Sequence, residues 1–206
     1  MKLCGLALAG IVVLGCGGGP GAQVATRADS SRSGEGGDVV QQERGRAQDE
    51  ATSAPASFDP SWVVTADGLG PIRIGMSTEE VARALGGAVD VPDEPGGCDY
   101  ILPPTWPQGV AVMMVDGSVA RVDVWEGGTA TAEGARIGST EDEIQALYPG
   151  RVEVRPHKYT EGHYLIVTPP GPTGAERRIV FETDGRAVER YRAGALPAVE
   201  WVEGCS

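Results

Sequence analysis

The feature that most constrains this chain is a pattern it carries twice. Arg73-Ile74-Gly75-Met76-Ser77-Thr78-Glu79-Glu80-Val81 and Arg136-Ile137-Gly138-Ser139-Thr140-Glu141-Asp142-Glu143-Ile144 align without a gap, at an offset of 63 residues. Each passes from Arg-Ile-Gly into an S/T-x-x-E capping box, Ser77 with Glu80 and Thr140 with Glu143. In such a box the hydroxyl accepts from a free backbone N–H at the helix start, and the glutamate reaches back to the cap. Apolar residues follow at helical spacing: Val81, Ala84 and Leu85 in one copy, Ile144, Leu147 and Tyr148 in the other. Gly86-Gly87 and Pro149-Gly150 stop the two helices.

Beyond each helix the hydrophobic period shortens to that of strands. Val110 to Val115, Asp116-Gly117, then Val119 to Trp125 predicts a hairpin closed by a type I′ turn. Ile179 to Thr183, Asp184-Gly185, then Ala187 to Tyr191 predicts a second of the same kind. Its offset is 68, so the second copy carries a short insertion. Further strands are expected at Tyr100–Leu102, Val152–Arg155 and Tyr164–Thr168. The fold class expected is α+β: two tandem helix-plus-antiparallel-meander repeats, about residues 66–128 and 129–206, packed as one domain over 58–206.

The run from Gly70 to Gly86, Gly-Pro-Ile-Arg-Ile-Gly-Met-Ser-x-Glu-Glu-Val-x-x-x-Leu-Gly, resembles the opening of small outer-membrane lipoproteins of the SmpA/OmlA type, which include the BamE component of the barrel-assembly machinery. The duplication with an acidic surface resembles the β-lactamase inhibitor protein family. The likeness covers about 17 residues of each repeat. The first resemblance implies an envelope-assembly partner, the second an enzyme to be inhibited.

The N-terminus says where such a domain is expected to sit. Lys2 precedes a 12-residue apolar run, Leu3 to Leu14, too short to span a bilayer and suited to a secretory signal. It ends in Val13-Leu14-Gly15-Cys16, which resembles a bacterial lipobox, with Leu14 where a small residue is usual. Residues 1–15 are therefore expected to be a signal peptide and Cys16 a lipid-attachment site. The alternative is a plain cleaved signal. Several acyl chains anchor stably where one is marginal. In the lipoprotein pattern Asp after the Cys favours the inner membrane; Gly17 stands there, pointing to the outer one. Residues 16–57 are rich in Gly, Ser, Ala and Gln. As a coil they reach roughly 35–40 Å, as a leash or a mere spacer.

Cys98 and Cys205 remain after Cys4 is lost with the leader and Cys16 is lipidated. Outside the cytoplasm two thiols most simply pair, closing a loop of about 107 residues; buried free thiols are the other option. Residues 58–206 hold 12 basic and 23 acidic side chains, a net charge of −11. That surface repels phosphate backbones, so no nucleic-acid partner is expected. It equally serves solubility.

Both histidines lie in Pro156-His157-Lys158-Tyr159-Thr160-Glu161-Gly162-His163-Tyr164. A hairpin turning at Glu161-Gly162 sets His157 or Tyr159 against His163 or Tyr164 across two strands. His157, Tyr159, His163 and Tyr164, with Trp125 and Trp201, are the candidate partner-binding residues, against ordinary hairpin and packing roles. A metal held by His157, Glu161 and His163 matches no zinc spacing, and no metal or other cofactor is expected. Asp90, Asp93, Glu94 and Asp99 collect oxygen ligands, but prolines scatter them and no EF-hand spacing exists. G-x-S-x-G, H-E-x-x-H, the P-loop and a helix-opening G-x-G-x-x-G are missing from the sequence. The expected role is a lipid-anchored, non-catalytic interaction module of the cell envelope. The alternatives are an inhibitor of a secreted or envelope enzyme, and an enzyme or metal-binding protein using His157 and His163. Oligomeric state is left open by the sequence.

Overall fold

The computed structural model describes residues 57–89, 97–103 and 105–205. The expected leader, Cys16 and the tether up to residue 56 lie outside the described residues, as do Asp90, Asp93 and Glu94. Among the described residues no helix is long and apolar enough to cross a membrane.

The protein is α+β, with two helices and two antiparallel sheets. A three-stranded sheet opens it, in the order β1 (Val64–Thr65), β2 (Gly68–Leu69), β3 (Ile72–Arg73). These two-residue strands were not expected, because they are too short to show a period. Helix α1 (Thr78–Leu85) follows, then β4 (Cys98–Ile101), β5 (Val110–Val115) and β6 (Ser118–Val124). Helix α2 (Glu141–Leu147) leads to β7 (Val152–Pro156), β8 (His163–Val167), β9 (Arg177–Thr183) and β10 (Val188–Ala195). The last seven strands form one sheet, ordered β4-β5-β6-β10-β9-β8-β7.

Both helices start as their sequences dictate. Ser77 and Thr140 are N-caps with complete capping boxes; Glu80 N donates to Ser77 Oγ and Glu143 N to Thr140 Oγ1. Gly86 ends α1 in the left-handed conformation. Each helix buries one residue completely, Val81 and Ile144. Ala84, expected on the apolar face of α1, is exposed: eight residues are two turns, too few for a wide buried stripe.

The turn at Asp116-Gly117 has positive φ at both residues, +50° and +73°, as type I′ requires. The second turn departs from expectation. Asp184 has no positive φ; its Oδ1 accepts from the N–H groups of Arg186 and Ala187, at 2.8 and 2.9 Å, and the turn centres one residue later. The carboxylate takes over the donors that a two-residue turn would leave in the ladder. Both hairpins carry a bulge: the β5–β6 ladder skips Ala120, and the β9–β10 ladder skips Glu189.

The Arg-Ile-Gly loops plug into the hairpins. Gly75 N donates to Val119 O (2.8 Å) and Val119 N to Met76 O (2.9 Å); Gly138 N donates to Val188 O (2.8 Å) and Val188 N to Ser139 O (2.9 Å). One face of the large sheet, with Val112, Val122, Leu165, Phe181 and Tyr191, packs under the helices and the small sheet as the main core. Phe58, Trp62 and Trp106 form an aromatic cluster at its margin, with centroids 5.3–6.2 Å apart. Tyr148 OH donates to Glu133 (3.0 Å) and shares a hydrogen bond with Thr131 (2.7 Å), tying the segment before α2 to the core.

Candidate functional site

Alternation puts every second residue of a strand on the opposite face. In β6, β9 and β10 those residues are Arg121, Asp123, Val180, Glu182, Arg190 and Arg192. A half-buried sheet usually turns such residues to water. Here the chain instead returns across them. After β10 it makes a short 3-10 turn, Ala198–Glu200, and runs on to Cys205, forming a strap. The strap ends at Cys98 on β4, bonded through a disulfide with Cα atoms 5.2 Å apart. Val199 is fully buried against Tyr164, Ile166 and Val180, and Ala198 packs on Met113 and Ala120. Gly204 has φ +69°, and a Cβ there would lie 2.7 Å from Tyr100 Oη, so only glycine lets the strap close over that ring.

Two buried arginines hold the strap by its backbone. Arg121 Nη1 donates to the carbonyls of Ala198 (2.8 Å) and Trp201 (2.6 Å), and Arg192 Nε donates to Val199 O (2.6 Å). Each guanidinium is charge-matched. Arg121 Nε donates to Asp123 (2.8 Å) and Nη2 to Tyr100 OH (3.1 Å); Arg192 Nη1 donates to Glu182. Glu182 also lies 3.4 Å from His157 Nε2 and 3.7 Å from Arg190 Nε. Burial lifts the Asp123 carboxyl above the ordinary carboxylate range, and Arg121 beside it offsets only part of that. Burial, then the Asp123 charge, raises the Tyr100 phenol. Most of the polar atoms of this network are engaged with one another or with the strap. Its chemistry is to fix that segment on the sheet.

The nominated residues divide by face. Trp125 is 44% exposed, Tyr159 58% and Trp201 37%. All three gather round Glu203-Gly204 of the strap. Trp125 shares with both residues a cleft of about 200 Å³, Trp201 lines a neighbouring cleft with the same two, and Tyr159 OH donates to Glu203. Lys158 Nζ sits 3.6 Å from Glu203 and over the Tyr159 ring.

His157 and Tyr164 lie beneath that surface, not on it. Their rings stack at 4.4 Å, and His157 Nδ1 accepts from the N–H groups of Tyr159 and Thr160, at 3.1 and 3.2 Å. His163 is on the other face, with Nδ1 2.8 Å from Glu141 of α2, whose carboxylate also accepts from Thr183 Oγ1. The β7–β8 hairpin forms, but it does not turn at Glu161-Gly162: His157 N donates to Gly162 O and Pro156 faces His163, so residues 158–161 make the loop, and His163 and Tyr164, neighbours in one strand, must point apart. The grouping of His157, Glu161 and His163 therefore does not form. Among the described residues no three His, Cys, Asp or Glu side chains are placed to hold a metal ion. Asp99 sits in β4 and accepts from the Tyr100 N–H.

Sequence reasoning missed Arg121, Asp123, Glu182 and Arg192. The available signal was Arg121 and Asp123 at alternate positions of the nearly apolar β6, a costly placement unless something covers and pairs them; β9 and β10 carry further charges that hide Glu182 and Arg192. Comparison of the chain with family models, with curated proteins and with solved structures gives no match.

Proposed function

We propose that this is an exported lipoprotein, anchored through Cys16 and facing the periplasm or cell exterior, whose domain is a non-catalytic protein-interaction module for an envelope partner. The observation that carries the reading is the gathering of Trp125, Tyr159 and Trp201 around one short stretch of a cross-linked strap. Large, stiff aromatic side chains on a pre-organised support lose little entropy on binding, which is what interface anchors require.

The domain is read as two tandem units, about 66–128 and 129–206. The sheet register supports this. With Val119 equated to Val188, Ala120 falls on Glu189, so the two bulges coincide. The β6–β10 pairing is then symmetric about Asp123↔Arg192, with Val122↔Ala193 and Val124↔Tyr191 on either side.

An inhibitor role uses the same surface. It is favoured by the strap's rigidity, since covalent and hydrogen-bonded fixation of a recognition segment lowers the cost of association.

The test is capture of the tagged full-length protein from mildly solubilised envelopes, side by side with the Trp125→Ala/Trp201→Ala variant. A near-stoichiometric partner present with the wild type and lost with the variant is expected. The same partner retained by the variant would place recognition elsewhere, and an unaccompanied wild type would overturn the reading. A hydrolase as partner, with dose-dependent loss of its activity, selects the inhibitor role. The anchor is tested by the mass of the N-terminal peptide, which Cys16→Ser should return to an unlipidated value.

A further inference from the structure

We propose that β7 is a self-pairing edge, through which two copies of this chain join their seven-stranded sheets. The inference needs neither recognition at the strap nor the anchor; β7 does touch the strap at one point, Arg155 Nη1 lying 3.8 Å from Glu200 Oε1.

β7 is the outermost strand, paired with β8 on one side only. The hydrogen bonds Thr168 N→Arg151 O (3.1 Å) and His157 N→Gly162 O (2.9 Å) fix which backbone groups face β8. Residues 151, 153, 155 and 157 point inward; Val152, Val154 and Pro156 present theirs to the free edge. That edge therefore offers two N–H donors and three carbonyls.

An antiparallel pairing of two such edges centred on Val154 uses both donors of each copy. Val154 exchanges N–H and C=O with its counterpart, and each Val152 N–H meets a Pro156 carbonyl of the other copy. The side chains select this register. It sets Glu153 opposite Arg155 of the second copy, twice, on the closer-spaced pairs of the ladder. The two neighbouring registers that keep outward groups opposite each other fail. Centred on residue 153, one sets Glu153 against Glu153 and Arg151 against Arg155. Centred on residue 155, the other sets Arg155 against Arg155. Glu153 and Arg155 are 60% and 49% exposed and already ion-paired within the strand at 2.7 Å, so the second pair completes an alternating square of charge. Val154, 47% exposed, meets its own counterpart. Pro156 ends the ladder and blocks longer pairing, a usual device against open-ended aggregation. The symmetry is closed and isologous, so assembly stops at two.

A single ladder buries far less than the ~1,600 Å² of a standard interface, so the test traps the contact covalently. Facing Cα atoms at the centre of the ladder are about 5.5 Å apart, within disulfide range. The full-length Val154→Cys protein, mildly oxidised and run without reductant, is expected to form a covalent dimer, whereas Ser61→Cys, exposed elsewhere, does not. Adding Arg155→Glu should cut dimer yield roughly tenfold, by replacing two attractive cross-strand pairs with two repulsive ones. The swap Glu153→Arg with Arg155→Glu should restore it. A Val154→Cys yield no greater than that of Ser61→Cys, indifference to Arg155→Glu, no restoration by the swap, or species larger than dimers would each overturn the proposal. Trp125→Ala/Trp201→Ala should leave the cross-link unchanged, which separates this result from the fate of the strap-face reading.

Discussion

Arg121 is the residue on which the strap's attachment most depends, and the structure sets the size of its loss. Arg121→Met keeps a long apolar stem but leaves Asp123, 15% exposed, without its partner. Breaking one side of a buried ion pair costs about 3–5 kcal/mol. The carbonyls of Ala198 and Trp201 also lose a charged donor, which adds on the order of 1 kcal/mol. The total of about 4–6 kcal/mol is a large share of the 5–15 kcal/mol typical of a domain. It corresponds to a fall in Tm of roughly 10–20 °C at this size. Urea unfolding followed by tryptophan fluorescence, with the disulfide intact, measures it. The decisive comparison is Arg121→Met/Asp123→Leu, which removes both charges and should recover about 3 kcal/mol, because much of the single-variant loss is an uncompensated carboxylate. If Arg121→Met costs less than about 1 kcal/mol, or the double variant is no better than the single, the arginine does not clamp the strap.

Three further outcomes are expected. Cys205→Ser should lower stability by up to about 4–5 kcal/mol, the chain-entropy value for a loop closed by residues 107 apart, read as the difference between wild-type and variant melts without reductant, a difference that reductant should abolish. Ser77→Ala and Thr140→Ala should each cost about 1 kcal/mol and by similar amounts, since the two capping boxes have the same geometry; circular dichroism melts check both. The third concerns pH. Asp123 has a raised folded-state pKa, so its contribution to stability is fully present below the unfolded value and fades as the pH rises through the folded one. The stability of the wild type relative to Asp123→Asn should therefore decline between acid and neutral pH, and a rising difference would contradict the burial of that carboxyl.

What could be read from the sequence follows from the range of the interactions involved. Helix starts are local: a hydroxyl and a glutamate three residues apart announce Ser77 and Thr140, and the structure places both as caps. The Asp116-Gly117 turn is local too, because φ of +50° and +73° at consecutive residues is tolerated by few pairs. Asp184-Gly185 carries the same letters and behaves otherwise, since a side-chain carboxylate can out-compete the ladder for two donors. The cysteine pairing followed from setting aside Cys4 and Cys16 and from an expected place outside the cytoplasm, and the structure forms that bond rather than two buried thiols. The clamp was not legible. Arg121, Asp123, Glu182 and Arg192 alternate with apolar residues as a solvent-facing set does, and only the return of residues 196–205 makes them interior. Strand parity could have separated His163 from Tyr164, but the idea of a histidine cluster treated proximity in sequence as proximity in space.

The bond between Cys98 and Cys205 also changes how the molecule bears load. A pull applied between Ser57 and a partner gripping the strap does not travel through the whole chain. It follows the polypeptide to Cys98 and crosses the sulfurs, so most of the large sheet hangs as an unloaded loop. Fully drawn out, that route is roughly 40 residues and about 150 Å long, against more than 500 Å without the bridge. Under tension the disulfide works as a mechanical shunt: the covalent path bypasses six of the seven strands, and the small sheet and α1 load them only through contacts such as Gly75 N to Val119 O, until those part.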